Sequence, residues 1–276
     1  MEQEAPVDPF WWALHVPEKT GMGKTLALVL HSMFHSASGF GNFIDNMPHG
    51  DTQHPSKGFA CFKCMLKAMH LATYVAKNGD QMIELFVEIC DRWSVDVNIE
   101  SELVWYLLTG FETWAKEHGE SDCESNFYRL FRFDTHVKWG CYHCKEHFSS
   151  SSSQYLFEVG GRTLHLYLTQ LTTEIWRACS KCKVETGYDR VSLGRLPLAL
   201  VFANARSPLV NLKIEEAEYV LSIVIPNVLK LEAFVLSQEG GWLQISLKGA
   251  PQISNLRPAQ VDFLAGVMDY TFYSKI

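Results

Sequence analysis

Four cysteines constrain this chain more than any other feature. Cys141 and Cys144 sit in Gly-Cys-Tyr-His-Cys-Lys, and Cys179 and Cys182 sit in Ala-Cys-Ser-Lys-Cys-Lys. Two CxxC knuckles a few tens of residues apart form the donor set of a structural zinc site. Four thiolates complete a tetrahedral shell and leave no open position for a substrate, so the pattern predicts a metal that holds the chain together. The stretch between the knuckles alternates like strands, so the expected metal clamps a β-hairpin. The competing reading, two independent surface turns or a redox pair, needs two knuckles to arise in one chain by coincidence.

Composition narrows the setting. The chain has 276 residues, enough for one large domain or two small ones, and a 47% hydrophobic fraction that can fill a core. A net charge of −7 argues against a nucleic-acid binder that works by phosphate neutralisation. Charges interrupt every apolar run before it reaches the length of a membrane span. The opening Met-Glu-Gln-Glu-Ala-Pro lacks the basic and apolar regions of a signal peptide. The expectation is an intracellular chain, cytoplasmic or nuclear, whose eight cysteines serve as metal ligands or free thiols.

The first half reads as helical. Phe10, Trp11, Trp12 and Leu14 form an apolar patch ended by Pro17. A glycine turn at Gly21 to Gly23 opens a run over 26–35 that is apolar almost all round, hence a buried helix. Residues 36–58 read as a loop, and helices are expected from 59, over 81–92 and over 98–117. The last carries Leu103, Tyr106, Leu107, Phe111 and Trp114 at helical spacing, and 118–126 is a polar linker.

From residue 127 the pattern turns to β. Phe127 to Phe133 and Val137 to Trp139 read as strands leading into the first knuckle. Ser149 to Ser153 is an unbroken serine run, expected as an exposed tip or loop. Tyr155 to Val159 reads as a strand, Leu164 to Leu168 as strand-like, and Leu171 to Trp176 as a helix or its start. Val184 to Leu193, Leu198 to Ala203 and Tyr219 to Ile225 read as strands. Phe234 to Leu236 and Trp242 to Ile245 form a hairpin around Gly240-Gly241, and the chain closes on Tyr270 to Ile276. Helices first and a mixed sheet afterwards make the fold class α+β.

Two stretches invite chemistry. Gly23-Lys24-Thr25 resembles the phosphate-binding loop of NTPases. Glu18 stands where that loop needs a small residue, and a carboxylate beside phosphate is electrostatically wrong. Cys61 and Cys64 lie one helical turn apart, which suits two buried thiols or half a metal site with His54 or His70.

The order of parts resembles the ubiquitin-specific protease (USP) family. The resemblance runs over nearly the whole chain and is most specific in the segment from Leu130 to Cys144 and in Cys179-Ser-Lys-Cys182 with Leu193 to Phe202 after it. Glu102 to Leu108 and Tyr270 to Tyr273 are similar to the family's thumb helix and closing strand. The resemblance implies one papain-like α+β domain over 1–276, with a helical thumb over 1–126 and a zinc-bearing finger and β palm over 127–276.

The resemblance also implies where a protease would keep its nucleophile, base and orienting carboxylate. Those positions fall on Lys24, Lys230 and Ser246. No histidine occurs from residue 166 onward. The expectation is therefore a catalytically inactive, USP-like pseudoenzyme with structural zinc at Cys141, Cys144, Cys179 and Cys182. It would serve as a scaffold for protein partners, with ubiquitin one candidate, and without membrane or direct nucleic-acid contact. The alternatives are an active cysteine protease with a relocated thiol, such as Cys61 with His54 or His70, and an NTPase using Gly23-Lys24-Thr25.

Overall fold

Alternation fails as a guide at Leu164-His-Leu-Tyr-Leu168. As a strand it would send Leu164, Leu166 and Leu168 to one face. The computed structural model instead has a helix, α2 (Leu164–Thr172), following a short helix, α1 (Asn126–Phe131). Leu164, Leu168 and Leu171 turn onto the core at helical spacing, while Leu166 is 54% exposed. The same test corrects the start of the β half. Leu130 and Phe131 are consecutive and both buried, which one face of a strand does not allow. Arg132 donates its N–H to the Tyr128 carbonyl at 3.0 Å, closing a helical turn.

The structure describes residues 28–30, 32–34, 36, 40–41, 104, 108, 126–172, 175–237, 240–246, 252–256 and 266–276. Lys24, Thr25, Trp11, Trp12, His54, Cys61, Cys64 and His70 lie outside them. Residues 28–30 and 32–34 are helical and buried, in line with the buried helix expected there. Val104 and Leu108, one turn apart, are helical and buried within the expected 98–117 helix. Phe34, Phe40 and Phe131 form a chain of ring contacts at 5.4 and 5.8 Å, which joins this helical material to α1. No helix among the described residues is long and apolar enough to cross a membrane.

Among the described residues, twelve strands form two sheets. The smaller contains β1 (Phe133–Cys141), β2 (His147–Gln154), β4 (Ile175–Arg177) and β5 (Gly187–Leu193), in the order β2-β1-β5-β4 and antiparallel throughout. The serine run is thus part of a strand rather than a loop. Serine has little strand preference of its own, but β1 pairs with it residue for residue from Phe133↔Gln154 to Gly140↔His147. It is exposed along its whole length, as expected. The segment between the knuckles is not one hairpin either, because it contains β2, β3 (Phe157–Glu158), α2 and β4.

The larger sheet runs β11-β10-β9-β8-β12-β6-β3, with β7 on the side of β8. Its members are β6 (Ala199–Arg206), β7 (Asn211–Ile214), β8 (Ala217–Asn227), β9 (Glu232–Leu236), β10 (Trp242–Ser246), β11 (Gln252–Asn255) and β12 (Val267–Lys275). Residues 199–203 of β6 and 221–225 of β8 are buried consecutively, so both faces of the central strands are covered. The hairpin of β9 and β10 forms as expected, with Trp242 opposite Leu236 and Gly240 at φ 85°, a conformation that favours glycine.

An aromatic column ties the two sheets together. Phe133 at the root of β1 stacks on Phe157 at 3.9 Å, and Phe157 stacks on Phe202 of β6 at 5.0 Å. Tyr273 of β12 meets Phe202 edge-on at 5.5 Å. Such pairs add about 0.5–1.5 kcal/mol each beyond their area burial. They anchor the small sheet at its base and leave its far end to be held by other means.

Candidate metal centre

At that far end the four cysteines meet. Cys141 ends β1 and Cys144 lies in the turn from β1 to β2, while Cys179 and Cys182 lie in the turn from β4 to β5. Two hairpin turns from opposite sides of the sheet are thereby brought face to face. One sulfur from each cysteine lies within 4.8 Å of all the others. Two cross-turn pairs, Cys141 with Cys182 and Cys144 with Cys179, are 3.6 Å apart. A disulfide needs about 2.05 Å. A tetrahedral shell of thiolates about 2.3 Å from zinc has sulfur–sulfur edges of about 3.8 Å. The geometry therefore excludes bonded pairs and fits a single metal ion held by four sulfurs.

The two turns repeat one design. Lys145 donates its N–H to Cys141 at 3.0 Å and Lys183 donates to Cys179 at 2.9 Å. Cys141 donates to Glu146 at 2.9 Å and Cys179 donates to Val184 at 2.8 Å. Lys145 and Lys183 both have φ 61°, the left-handed conformation that curls the chain around its sulfurs. The sequence carried a trace of this, since a lysine follows the second cysteine of each knuckle.

Electrostatics divide the thiols. The Thr186 hydroxyl, 3.3 Å from the Cys141 sulfur, and the Cys144 amide bring Cys141 down to about 6. The Cys182 amide brings Cys179 down. Cys144 has the Glu146 amide in its favour, but burial and the neighbouring sulfurs push it up to about 11. Cys182 has the Val184 amide and is pushed up for the same reasons. Four thiolates repel one another at this spacing, and a divalent cation removes that conflict. Thr186 was not legible as a participant, because a threonine hydroxyl is as common in a solvated turn.

Around the cluster, Lys181 of one turn pairs with Glu146 of the other. Arg177 pairs with Asp189 at 2.9 Å and lies over the Trp139 ring at 5.7 Å. Tyr142 stacks on Trp176 at 5.5 Å and tilts against Tyr188 at 4.9 Å. Tyr142 and Trp176 are both more than half exposed.

The positions that resemblance assigns to the base and orienter lie far along the chain, beside β9 and at the end of β10 in the larger sheet. Lys230 is exposed in a single 3-10 turn, Val228–Lys230, just before β9. Asn227 caps this turn, its side chain accepting from the amides of Leu229 and Lys230. Ser246 ends β10 opposite Glu232, and Asn227 also pairs with Glu232. Lys230 and Ser246 therefore share one end of the sheet. Asp269, which sequence reasoning passed over, accepts the Val228 amide at 2.8 Å beside this turn.

No protein-family model matches this sequence, and no curated protein matches it. Solved structures do. A chain from the SAGA DUB module of Ubp8, Sgf11, Sus1 and Sgf73, with Sgf11 lacking its zinc finger, matches with TM-score 0.65 and 14% identity over 91% of this chain and 66% of its own length. The module of the same four proteins bound to monoubiquitin matches with TM-score 0.67 and 13% identity over 100% of this chain and 72% of the other. The yeast module with an Sgf73 variant gives 0.62 and 13%, over 99% and 71%. At this identity the likeness is one of fold, and the fold is USP-like.

Proposed function

We propose that this chain is a catalytically inactive, USP-like pseudoenzyme whose zinc-stabilised finger and palm act as a scaffold for protein partners. The observation that carries this is the pairing of a USP-like fold and a four-sulfur cluster with Lys230 and Ser246 at one end of the palm sheet. A lysine in that place removes the imidazole that would take the proton of a thiol. A serine cannot hold an imidazolium as a carboxylate does. Lys24, the third position, has no thiol to offer.

Zinc is the metal that best suits four thiolates in a closed tetrahedral set. The finger has little core of its own beyond the Phe133 column, so metal binding contributes directly to its folding. The comparison structures hold partner subunits and, in one case, monoubiquitin. Protein partners of that kind, ubiquitin included, are the corresponding proposals for this chain, together with an intracellular location, cytoplasmic or nuclear.

The test is an activity-based ubiquitin probe together with a fluorogenic ubiquitin substrate, applied to the zinc-loaded chain. The expected result is no labelling and no turnover. Labelling at Cys61 or Cys64, or turnover lost on substituting either, overturns the reading in favour of a relocated thiol. ATP binding that disappears in Lys24→Ala overturns it in favour of nucleotide chemistry.

A further inference from the structure

The outer edge of the finger sheet is built unlike a guarded edge. Natural sheets protect a free strand with proline, lysine, a bulge or short length. β2 has eight residues, no proline and no lysine, and it pairs with β1 without a register shift. Its five serines are too small to cover their own main chain. Among the described residues nothing pairs with its other side.

The two faces beside this edge differ in chemistry. Directly paired residues on antiparallel strands point to the same face, so Ser149 and Ser151 share a face with Lys138 and His136. His136 Nδ1 is 2.7 Å from the Ser151 hydroxyl, which confirms the side. Arg190 of β5 lies opposite Lys138 on that face, and the one acid of β1 there, Asp134, is taken up by the Ser153 hydroxyl at 2.6 Å. Among the described residues, neither Lys138 nor Arg190 has an acidic partner, whereas Arg177 and Lys181 occupy Asp189 and Glu146. Residues 132–147 and 175–195 carry eight lysines and arginines against four acids, in a chain whose net charge is −7. On the opposite face Phe148 stands 62% exposed beside Trp139.

We propose that β2 receives an extended acidic peptide segment as a fifth strand of the finger sheet. Its acidic side chains would lie on the Lys138 and His136 face, and an apolar side chain would lie beside Phe148. Main-chain pairing along a free edge supplies affinity, and side chains alternating between the two faces supply selectivity. An added strand lies about 4.8 Å beyond β2 and about 10 Å from β1. A lysine at 138 leaning over the small Ser149 would cover part of that gap. An acidic side chain of the added strand would reach back to meet it, where a larger residue at 149 would block the approach. A nucleic acid has no peptide backbone to pair with the edge, so a polypeptide is the occupant that uses every feature of this surface.

The proposal rests on reading the chain as a protein-binding scaffold, but the ubiquitin-probe result does not depend on β2, so the two can fail separately. The test uses the full zinc-loaded chain and a fluorescein-labelled peptide of alternating Glu and Val, read by anisotropy and by amide hydrogen exchange. Saturable binding with slowed exchange over 147–154 is expected. Lys138→Glu should weaken it roughly tenfold, and N-methylation of alternate peptide amides should abolish it. Three results overturn the proposal: no binding, binding indifferent to N-methylation, or binding of an oligothymidylate in preference to the peptide.

Discussion

Gly187→Ala should cost the metal centre more than its single methyl group suggests. Gly187 opens β5 immediately after the second knuckle, paired with Cys141 on one side and Arg177 on the other. A Cβ at this position would sit 2.8 Å from the Arg177 carbonyl oxygen and 3.3 Å from Cα and N of Cys179. These are main-chain atoms, so relief requires the backbone around Arg177 to Cys179 to move by about 0.6 Å. Zinc–sulfur distances tolerate about 0.2 Å. Overpacking of this kind costs about 1–3 kcal/mol. If the strain is felt only in the metal-bound geometry, zinc affinity falls about tenfold to a hundredfold, at about 1.4 kcal/mol per decade. Gly140→Ala is the control. Its Cβ would meet the Tyr188 ring at 2.5 Å, but that ring is a half-buried side chain and can swing aside. Competition against a chromophoric zinc chelator measures both affinities. An affinity for Gly187→Ala indistinguishable from the parent, or an equal loss in Gly140→Ala, refutes the argument that the Arg177–Cys179 backbone sets the sulfur geometry.

Three further outcomes follow from the contacts. Chelation of zinc, or Cys179→Ser, should speed hydrogen exchange in both knuckle turns while β6, β8 and β12 stay protected, since the aromatic column at Phe133 does not depend on the metal. Tyr219→Phe should lower the unfolding free energy by about 1–1.5 kcal/mol in urea titration, because it orphans the buried Pro197 carbonyl that Tyr219 donates to at 2.8 Å. Asp269 is held above its ordinary range by burial, against the pull of the Val228 amide. A raised native pKa favours folding below the unfolded value, and that contribution is lost as pH rises through the native value. Asp269→Asn keeps an acceptor for Val228 and drops the charge, so its stability relative to the parent should improve from about pH 4 to neutrality in thermal melts. The opposite slope would mean that the carboxylate is stabilised in place.

The cysteine cluster was legible because ligand spacing is a local property that survives whatever lies between the knuckles. What lies between them was misjudged, and Leu166 shows why. Alternation of Leu164, Leu166 and Leu168 is also compatible with a helix if one of the three can face solvent, and Leu166 does. The serine run fails in the opposite direction. Its own preferences point to a turn, and only the partner strand β1 makes it extended, which is information held far along the chain. Thr186 and the left-handed Lys145 and Lys183 depend on the folded turns themselves and leave little mark on composition.

The β9–β10 hairpin shows how far a short-range signal can reach. Gly240 fixes the turn, and the turn fixes Trp242 opposite Leu236. Because strand pairing advances one residue for one, Ser246 must then fall opposite Glu232, two residues beyond Lys230. The meeting of Lys230 and Ser246 at one end of the sheet was therefore a matter of counting. A residue two elements away cannot be placed by counting, because no hairpin register connects it. If β10 slipped by one residue against β9, Ser246 would change faces and Ile245, fully buried opposite the equally buried Ala233, would turn outward. The burial of those two side chains is what holds the lysine and the serine at the same end.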